Sequence, residues 1–281
     1  MKKLFYATVL IAASACFPAC ADEVTEAFFK NETGPYAKAF RTKTKRFSQR
    51  GRAGFDGKTE GLSAGFNISG ENGAVGISFS TVQTDISEKD GGPKGKLDTR
   101  AASISGLYKP EKVFFTASTA FSWSKNKDKA TLRKNDANTL TAQLLSGYEF
   151  ENSSPMYGVR YVHGDKKGVD AKKTDILTGV IAMRAAKTYG NAEKDAFSWR
   201  PEFSLAATYD FHVDPHAVAV FLPDGAAYIA DSPRLRRFGG EVTAGVTAFA
   251  GKDFSVSAEY LGAARTAYRN HTFSLRAAYA F

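Results

Sequence analysis

From Gly54 to the C-terminus, apolar side chains recur at every second position in short segments separated by polar turns. The run from Glu202 to Phe211 is the clearest case: Phe203, Leu205, Ala207, Tyr209 and Phe211 interleave with Glu202, Ser204, Ala206, Thr208 and Asp210. A period of two is the period of a strand, whose side chains point alternately to its two faces. The same alternation runs through Leu62–Ile68, Val75–Phe79, Phe115–Trp123, Leu140–Tyr148, Tyr157–Tyr161, Leu177–Met183, Val242–Val246, Phe254–Tyr260 and Phe273–Phe281. Each segment therefore has one apolar face. The other face carries Ser, Thr, Gly and Ala with isolated charges at Glu149, Arg160, Arg184, Glu202, Glu241, Glu259 and Arg276.

A soluble sandwich would turn the apolar face inward, and a membrane barrel would turn it to lipid. The connections favour the barrel. Short turns at Ser69–Gly73, Lys109–Lys112, Glu151–Pro155 and Gly251–Asp253 alternate with longer polar stretches at Asp85–Leu97, Lys125–Asn138, Gly164–Lys173 and Pro215–Arg237. That parity is the habit of bacterial outer-membrane barrels, with short turns in the periplasm and long loops outside the cell. The connection at Thr188–Phe197 is longer, and the one at Arg265–Arg269 shorter, than the rule wants. Tyr108, Trp123, Tyr148, Phe150, Tyr161, Tyr209, Phe211, Tyr260, Tyr279 and Phe281 fall near strand ends, where rings form girdles at the two water–lipid boundaries. No stretch after the leader approaches the ~20 apolar residues of a membrane helix. The expected fold is all-β: a closed transmembrane antiparallel barrel of about twelve strands.

The N-terminus reads as an address. Lys2 and Lys3 precede an apolar run, Leu4–Ala15, too short to span a bilayer, and Ala19-Cys20-Ala21 offers the small residues a signal peptidase requires. We expect a cleaved signal peptide at 1–21, a short segment at 22–34 able to plug the lumen through Val24, Ala27 and Phe28, and a barrel over 35–281. Both cysteines, Cys16 and Cys20, lie in the leader, which removes disulfides, Cys-ligated zinc and Cys nucleophiles from the mature chain. The formal charge of +9 falls to +7 when Lys2 and Lys3 are lost. Export argues against a nucleic-acid partner. Lysines of the long loops, among them Lys125, Lys127, Lys129, Lys166 and Lys172, suit the phosphates of lipopolysaccharide.

The last strand, His271-Thr-Phe-Ser-Leu-Arg-Ala-Ala-Tyr-Ala-Phe281, ends the chain on an aromatic ring with Phe273, Leu275 and Tyr279 in phase before it. Until it pairs with the first strand it is an open edge, the natural handle for an assembly factor that binds by strand addition. From Tyr268 onward this ending resembles that of the autotransporter β-domain family. The likeness extends to Phe238-Gly-Gly-Glu241-Val-Thr-Ala-Gly245, Phe254-Ser-Val-Ser-Ala-Glu259-Tyr260, Pro35-Tyr-Ala-Lys-Ala-Phe40 and Gly54–Phe66. It implies a twelve-stranded outer-membrane barrel inserted by the barrel-assembly machinery, whose pore helps move an N-terminal passenger to the cell surface. About a dozen residues separate Ala21 from Pro35, so the expectation here is a barrel without a passenger of its own. A narrow porin-like or adhesive outer-membrane protein is the alternative, and in either case a monomer.

Candidate chemistry is sparse. Asp210, His212, Asp214 and His216 could meet at the outer rim as a metal or hydrolytic site, but a strand end entering a polar loop accounts for them better. His163 and His271 read as single rim residues. No nucleophile elbow or phosphate-binding loop is present, so neither catalysis nor a cofactor is expected. The residues expected to matter are the lumen charges Arg160, Arg184, Glu202, Glu241, Glu259 and Arg276, which on neighbouring strands would pair and limit passage.

Overall fold

The structure, a computed structural model, describes residues 33–48, 54–89, 94–128, 134–166, 172–190, 197–213, 217–221, 227–231, 237–251, 253–266 and 268–281. The expected leader and nearly all of the segment 22–34 lie outside the described residues. The strands are β1 (Gly34–Arg46), β2 (Phe55–Gly70), β3 (Gly73–Glu88), β4 (Lys94–Tyr108), β5 (Val113–Asp128), β6 (Lys134–Tyr148), β7 (Ser153–Lys166) and β8 (Lys172–Ala186). They continue with β9 (Phe197–Val213), β10 (Ala217–Phe221), β11 (Ala227–Asp231), β12 (Phe238–Ala250), β13 (Phe254–Arg265) and β14 (Tyr268–Tyr279).

Twelve of these close into one antiparallel barrel in the order β1-β14-β13-β12-β9-β8-β7-β6-β5-β4-β3-β2. Closure comes from β14 pairing with β1, Ala278 opposite Tyr36 through to Tyr268 opposite Arg46, so no strand of the wall keeps an open edge. The remaining two, β10 and β11, form a separate hairpin within the connection from β9 to β12.

The alternation sets the faces as expected for a barrel in lipid. Leu62, Ile68, Ile77, Leu144, Tyr157, Ile181, Leu205 and Phe273 are all exposed, while Thr42, Thr59, Ser80, Ser122, Thr178 and Thr272 are buried. Small hydroxyl side chains fill the interior and satisfy one another across strands: Thr42 with Thr272 at 2.8 Å, Ser78 with Ser103 at 2.6 Å and Thr99 with Ser124 at 2.8 Å. The two aromatic levels are present on the outside, with Tyr108, Tyr148, Phe150, Tyr279 and Phe281 at the short-turn end and Trp123, Tyr161, Tyr209, Phe211 and Tyr260 at the other.

Three of the stretches read as long loops are largely strand. β3 runs to Glu88 before β4 begins at Lys94, β5 runs to Asp128 before β6 begins at Lys134, and β7 runs to Lys166 before β8 begins at Lys172. A strand needs only ~9–11 residues to cross the hydrocarbon layer. β2, β3 and β5 have 16 each, so the wall projects into water on the long-loop side. There the outer face has no reason to stay apolar, and on β1–β4 the pattern inverts. Phe40, Val82, Ile86 and Leu97 point inward and are buried, while Arg41, Glu60, Gln83 and Asp85 point outward. Two glycines make room for inward rings. Gly61 and Gly65 on β2 face Phe40 and Tyr36 on β1, and a Cβ at either would come within 2.4 Å of the ring opposite. The rings cover backbone that a larger residue would displace.

Candidate functional site: the charged lumen

The inward face of the barrel is not uniformly wet. Near the short-turn end Phe114, Leu145, Met156, Val180 and Ala182 of β5–β8 form an apolar cluster, and Ala74 packs against Leu107 beside it. No periodicity announces this cluster, because Phe114 sits between Val113 and Phe115 and the phase of the run is ambiguous.

Charges gather above this cluster, and one further pair, Arg184–Glu202, lies below it toward the short turns. Arg160 on β7 meets Glu241 on β12 with Nη1 3.6 Å from Oε1, and both side chains are only 2% exposed. In the wall β8 and β9 stand between those two strands, so the pair spans the interior instead of bridging neighbours. The Arg160 Nε also donates to Gln143 Oε1 of β6 at 3.2 Å. A second guanidinium, Arg184, forks onto Glu202 of the adjacent β9 through Nε at 2.5 Å and Nη2 at 2.7 Å, the two-pronged geometry a planar cation and a carboxylate favour. A third, Arg265 on β13, reaches past β12 to Asp210 on β9, with Nη2 donating to Oδ1 at 3.0 Å. Thr178 Oγ1 donates to the same carboxylate at 2.7 Å.

Glu259 and Arg276, also expected in the lumen, face inward on β13 and β14 as diagonal neighbours, since Glu259 lies opposite Ser274 and Arg276 opposite Ser257. The Arg276 guanidinium lies over the Tyr36 ring, 4.9 Å from its centroid. Six expected positions thus line one interior. Sequence reasoning missed Arg265, Lys38 and Arg46, which also face in; each stands in a stretch read as a turn or an opening strand. Glu149, grouped with the inward charges by its alternation, instead sits in the turn after β6 and pairs with Lys109, whose ammonium burial pulls below its usual range.

The Asp210/His212 cluster does not assemble among the described residues. A bulge between Leu177 and Thr178 shifts the β8–β9 register, so Asp210 points into the lumen toward Arg265 while His212 faces out. Asp214 and His216 lie outside the described residues. No group of three or more His, Cys, Asp or Glu side chains able to hold a metal occurs among the described residues. His163 and His271 stand on the outer rim, bonded through Nδ1 to Asp175 at 2.8 Å and to the Tyr260 hydroxyl at 2.7 Å. The expected assembly residues Phe273, Leu275, Tyr279 and Phe281 all point outward, with Phe281 76% exposed and its ring 6.0 Å from that of Phe66.

Comparison with known proteins agrees with this architecture. The chain resembles the translocator domain of the autotransporter NalP from Neisseria meningitidis at 14% identity, covering 93% of each chain with a TM-score of 0.66. It resembles the transport unit of the autotransporter AIDA-I from Escherichia coli at 13% identity, covering 95% of this chain and 100% of that one with a TM-score of 0.64. An outer-membrane channel from Pseudomonas putida F1 is also similar, at 9% identity over 89% of this chain and 96% of that one, with a TM-score of 0.55. These likenesses speak to the fold. Among curated proteins compared by sequence, none matches. The family model for the autotransporter beta-domain matches residues 36–261, most of the barrel wall, and the chain belongs to that family.

Proposed function

We propose that this barrel is a translocator of the outer membrane that rests closed and opens its lumen to an extended polypeptide. The observation that carries the reading is the Arg160–Glu241 pair. It spans the interior with two buried charges in a family whose barrels are named for transport, and it can separate without breaking the wall. At the short-turn rim the Thr33 carbonyl accepts a bond from the Phe281 amide at 3.0 Å, which fixes the start of β1 beside the end of β14. The hairpin β10–β11 adds a second closure. It hangs between β9 and β12 yet lies beside β5, β6, β7 and β8, a reach consistent with a course over the outer mouth.

An epitope placed between Ala21 and Thr33 tests the reading directly. Surface labelling of intact cells is expected to reach it, with loss of labelling when Arg160→Cys and Glu241→Cys are joined across the lumen by a bifunctional thiol cross-linker, since the two backbones stand too far apart for a direct disulfide. An epitope that stays protected until the cells are broken would contradict it.

A narrow channel is the second reading, favoured by the polar middle of the lumen. Single-channel recording separates the two. The intact protein is expected to conduct little, and Arg160→Ala combined with replacement of 217–231 by a short Gly/Ser linker is expected to open a stable conductance that neither change gives alone. Steady conductance from the intact protein would favour the channel. We further propose the barrel-assembly machinery as the partner of β14. Removal of Phe281 is then expected to leave most of the protein unfolded in the periplasm, read as loss of the fast-migrating unheated band.

A further inference from the structure

The outer wall where β14, β1 and β2 leave the membrane carries an unusual collection of charge. Phe47, just past β1 and 38% exposed, has three cations around its ring: the Lys45 Nζ at 5.6 Å, the Lys89 Nζ at 5.2 Å and the Arg269 Cζ at 5.7 Å from the centroid. Lys45 and Arg269 are direct partners across β1 and β14, and one step down the wall Lys43 faces Lys58 across β1 and β2. All four point outward. Like charges set directly opposite each other destabilise a sheet, so two such pairs side by side are better tolerated with an anion between them.

The acids nearby offset this only in part, and Lys43 and Arg269 face no carboxylate across the ladder. Asp56 lies opposite Lys45 and Asp85 opposite Lys58, while Glu60 is engaged by Arg41 at 3.1 Å. Beneath the cations the same wall turns apolar at Ala39, Leu62, Phe273 and Leu275, and a groove of about 1020 Å³ runs from there across the strands, edged on its upper side by Arg41, Glu60, Gln83, Asp98 and Arg100. Cations above an apolar groove, on the outside of a barrel and at its long-loop end, match an amphiphile with phosphates at its head and several acyl chains below.

We propose that this face holds one molecule of lipopolysaccharide, a lipid A phosphate lying between Lys45, Lys89 and Arg269 over Phe47 and the acyl chains following the groove. The site lies on the outer wall and requires only that the long-loop end face the outer leaflet. It stands or falls independently of whether the lumen moves a polypeptide.

The test uses the full-length protein in non-ionic detergent, titrated with bis-phosphorylated lipid A, with the same lipid after removal of both phosphates, and with phosphatidylglycerol, bound lipid being counted by native mass spectrometry. One lipid A molecule is expected to bind, at least about tenfold tighter than either comparison lipid, since each lost charge-assisted contact costs roughly that factor. The variant K45Q/R269Q, which removes two such contacts, is expected to lose between about tenfold and about a hundredfold in lipid A affinity, and K112Q/K187Q, at the short-turn end, to lose nothing. Equal binding of the dephosphorylated lipid, equal binding of phosphatidylglycerol, or an unaffected K45Q/R269Q would each overturn the proposal. If that double variant fails to fold, the wild-type lipid comparison together with K89Q decides the matter on the same criteria.

Discussion

Arginine in place of Ile181 is expected to cost the folded barrel about 2–4 kcal/mol, the penalty of a cation at mid-bilayer on a lipid-facing strand. Ile181 is 71% exposed and stands midway along the outward column of β8, between Leu177 and Ala185. In a water-soluble protein an exposed isoleucine would accept arginine with a change within about 0.5 kcal/mol. The same substitution at Gln83, outward on the projecting part of β3, is expected to be nearly neutral because that face meets water. Urea unfolding of the refolded variants in lipid vesicles reads the difference. A neutral Ile181→Arg would remove the lipid from around β8.

The second large effect is expected inside. Glu241→Ala takes away the carboxylate facing Arg160 in a place where both side chains are almost wholly buried. Leaving a buried cation uncompensated typically costs about 3–5 kcal/mol, whereas replacing both partners with apolar groups of similar size is often neutral. Glu241→Ala should therefore lower the urea midpoint strongly, and Arg160→Met/Glu241→Leu should recover most of the loss. A single-variant loss under about 1 kcal/mol would mean that the pair is as well solvated as a surface ion pair and closes nothing.

Much of the wall was legible because lipid demands a strict rule. Along β9, from Phe203 to Phe211, each outward position must be apolar and each inward one small or polar, and the period is plain in the residues. Where lipid ends, the rule ends. Thr81, Gln83 and Asp85 look outward while Val82 and Ile86 look inward, so the upper halves of the strands read as loop although their backbone ladder continues unbroken. The hairpin β10–β11 was hidden for a different reason: AVAVF and AYIAD are short, mostly apolar runs without polar alternation, so only Pro223-Asp224-Gly225 between them signals a turn.

The lumen was legible residue by residue but not in its pairing. Alternation places Arg160 and Glu241 on inward faces, yet that they meet across the interior follows from closure and strand tilt, which no local pattern encodes. The Arg184–Glu202 pair, on sequential strands, was the easier expectation. The cations around Phe47 come from β1, the end of β3 and β14, far apart in the chain and brought together only when the first and last strands pair.

Single cysteines placed in turn at 202 through 209 of β9, each labelled and exposed to a lipid carrying a quencher in its acyl chain, test the direction of the side chains most directly. Quenching is expected at 203, 205, 207 and 209 and not at 202, 204, 206 and 208, a repeat of two that follows the outward positions. Quenching at the even positions, or at none, would contradict the orientation on which the closed lumen and the outer lipid site both depend.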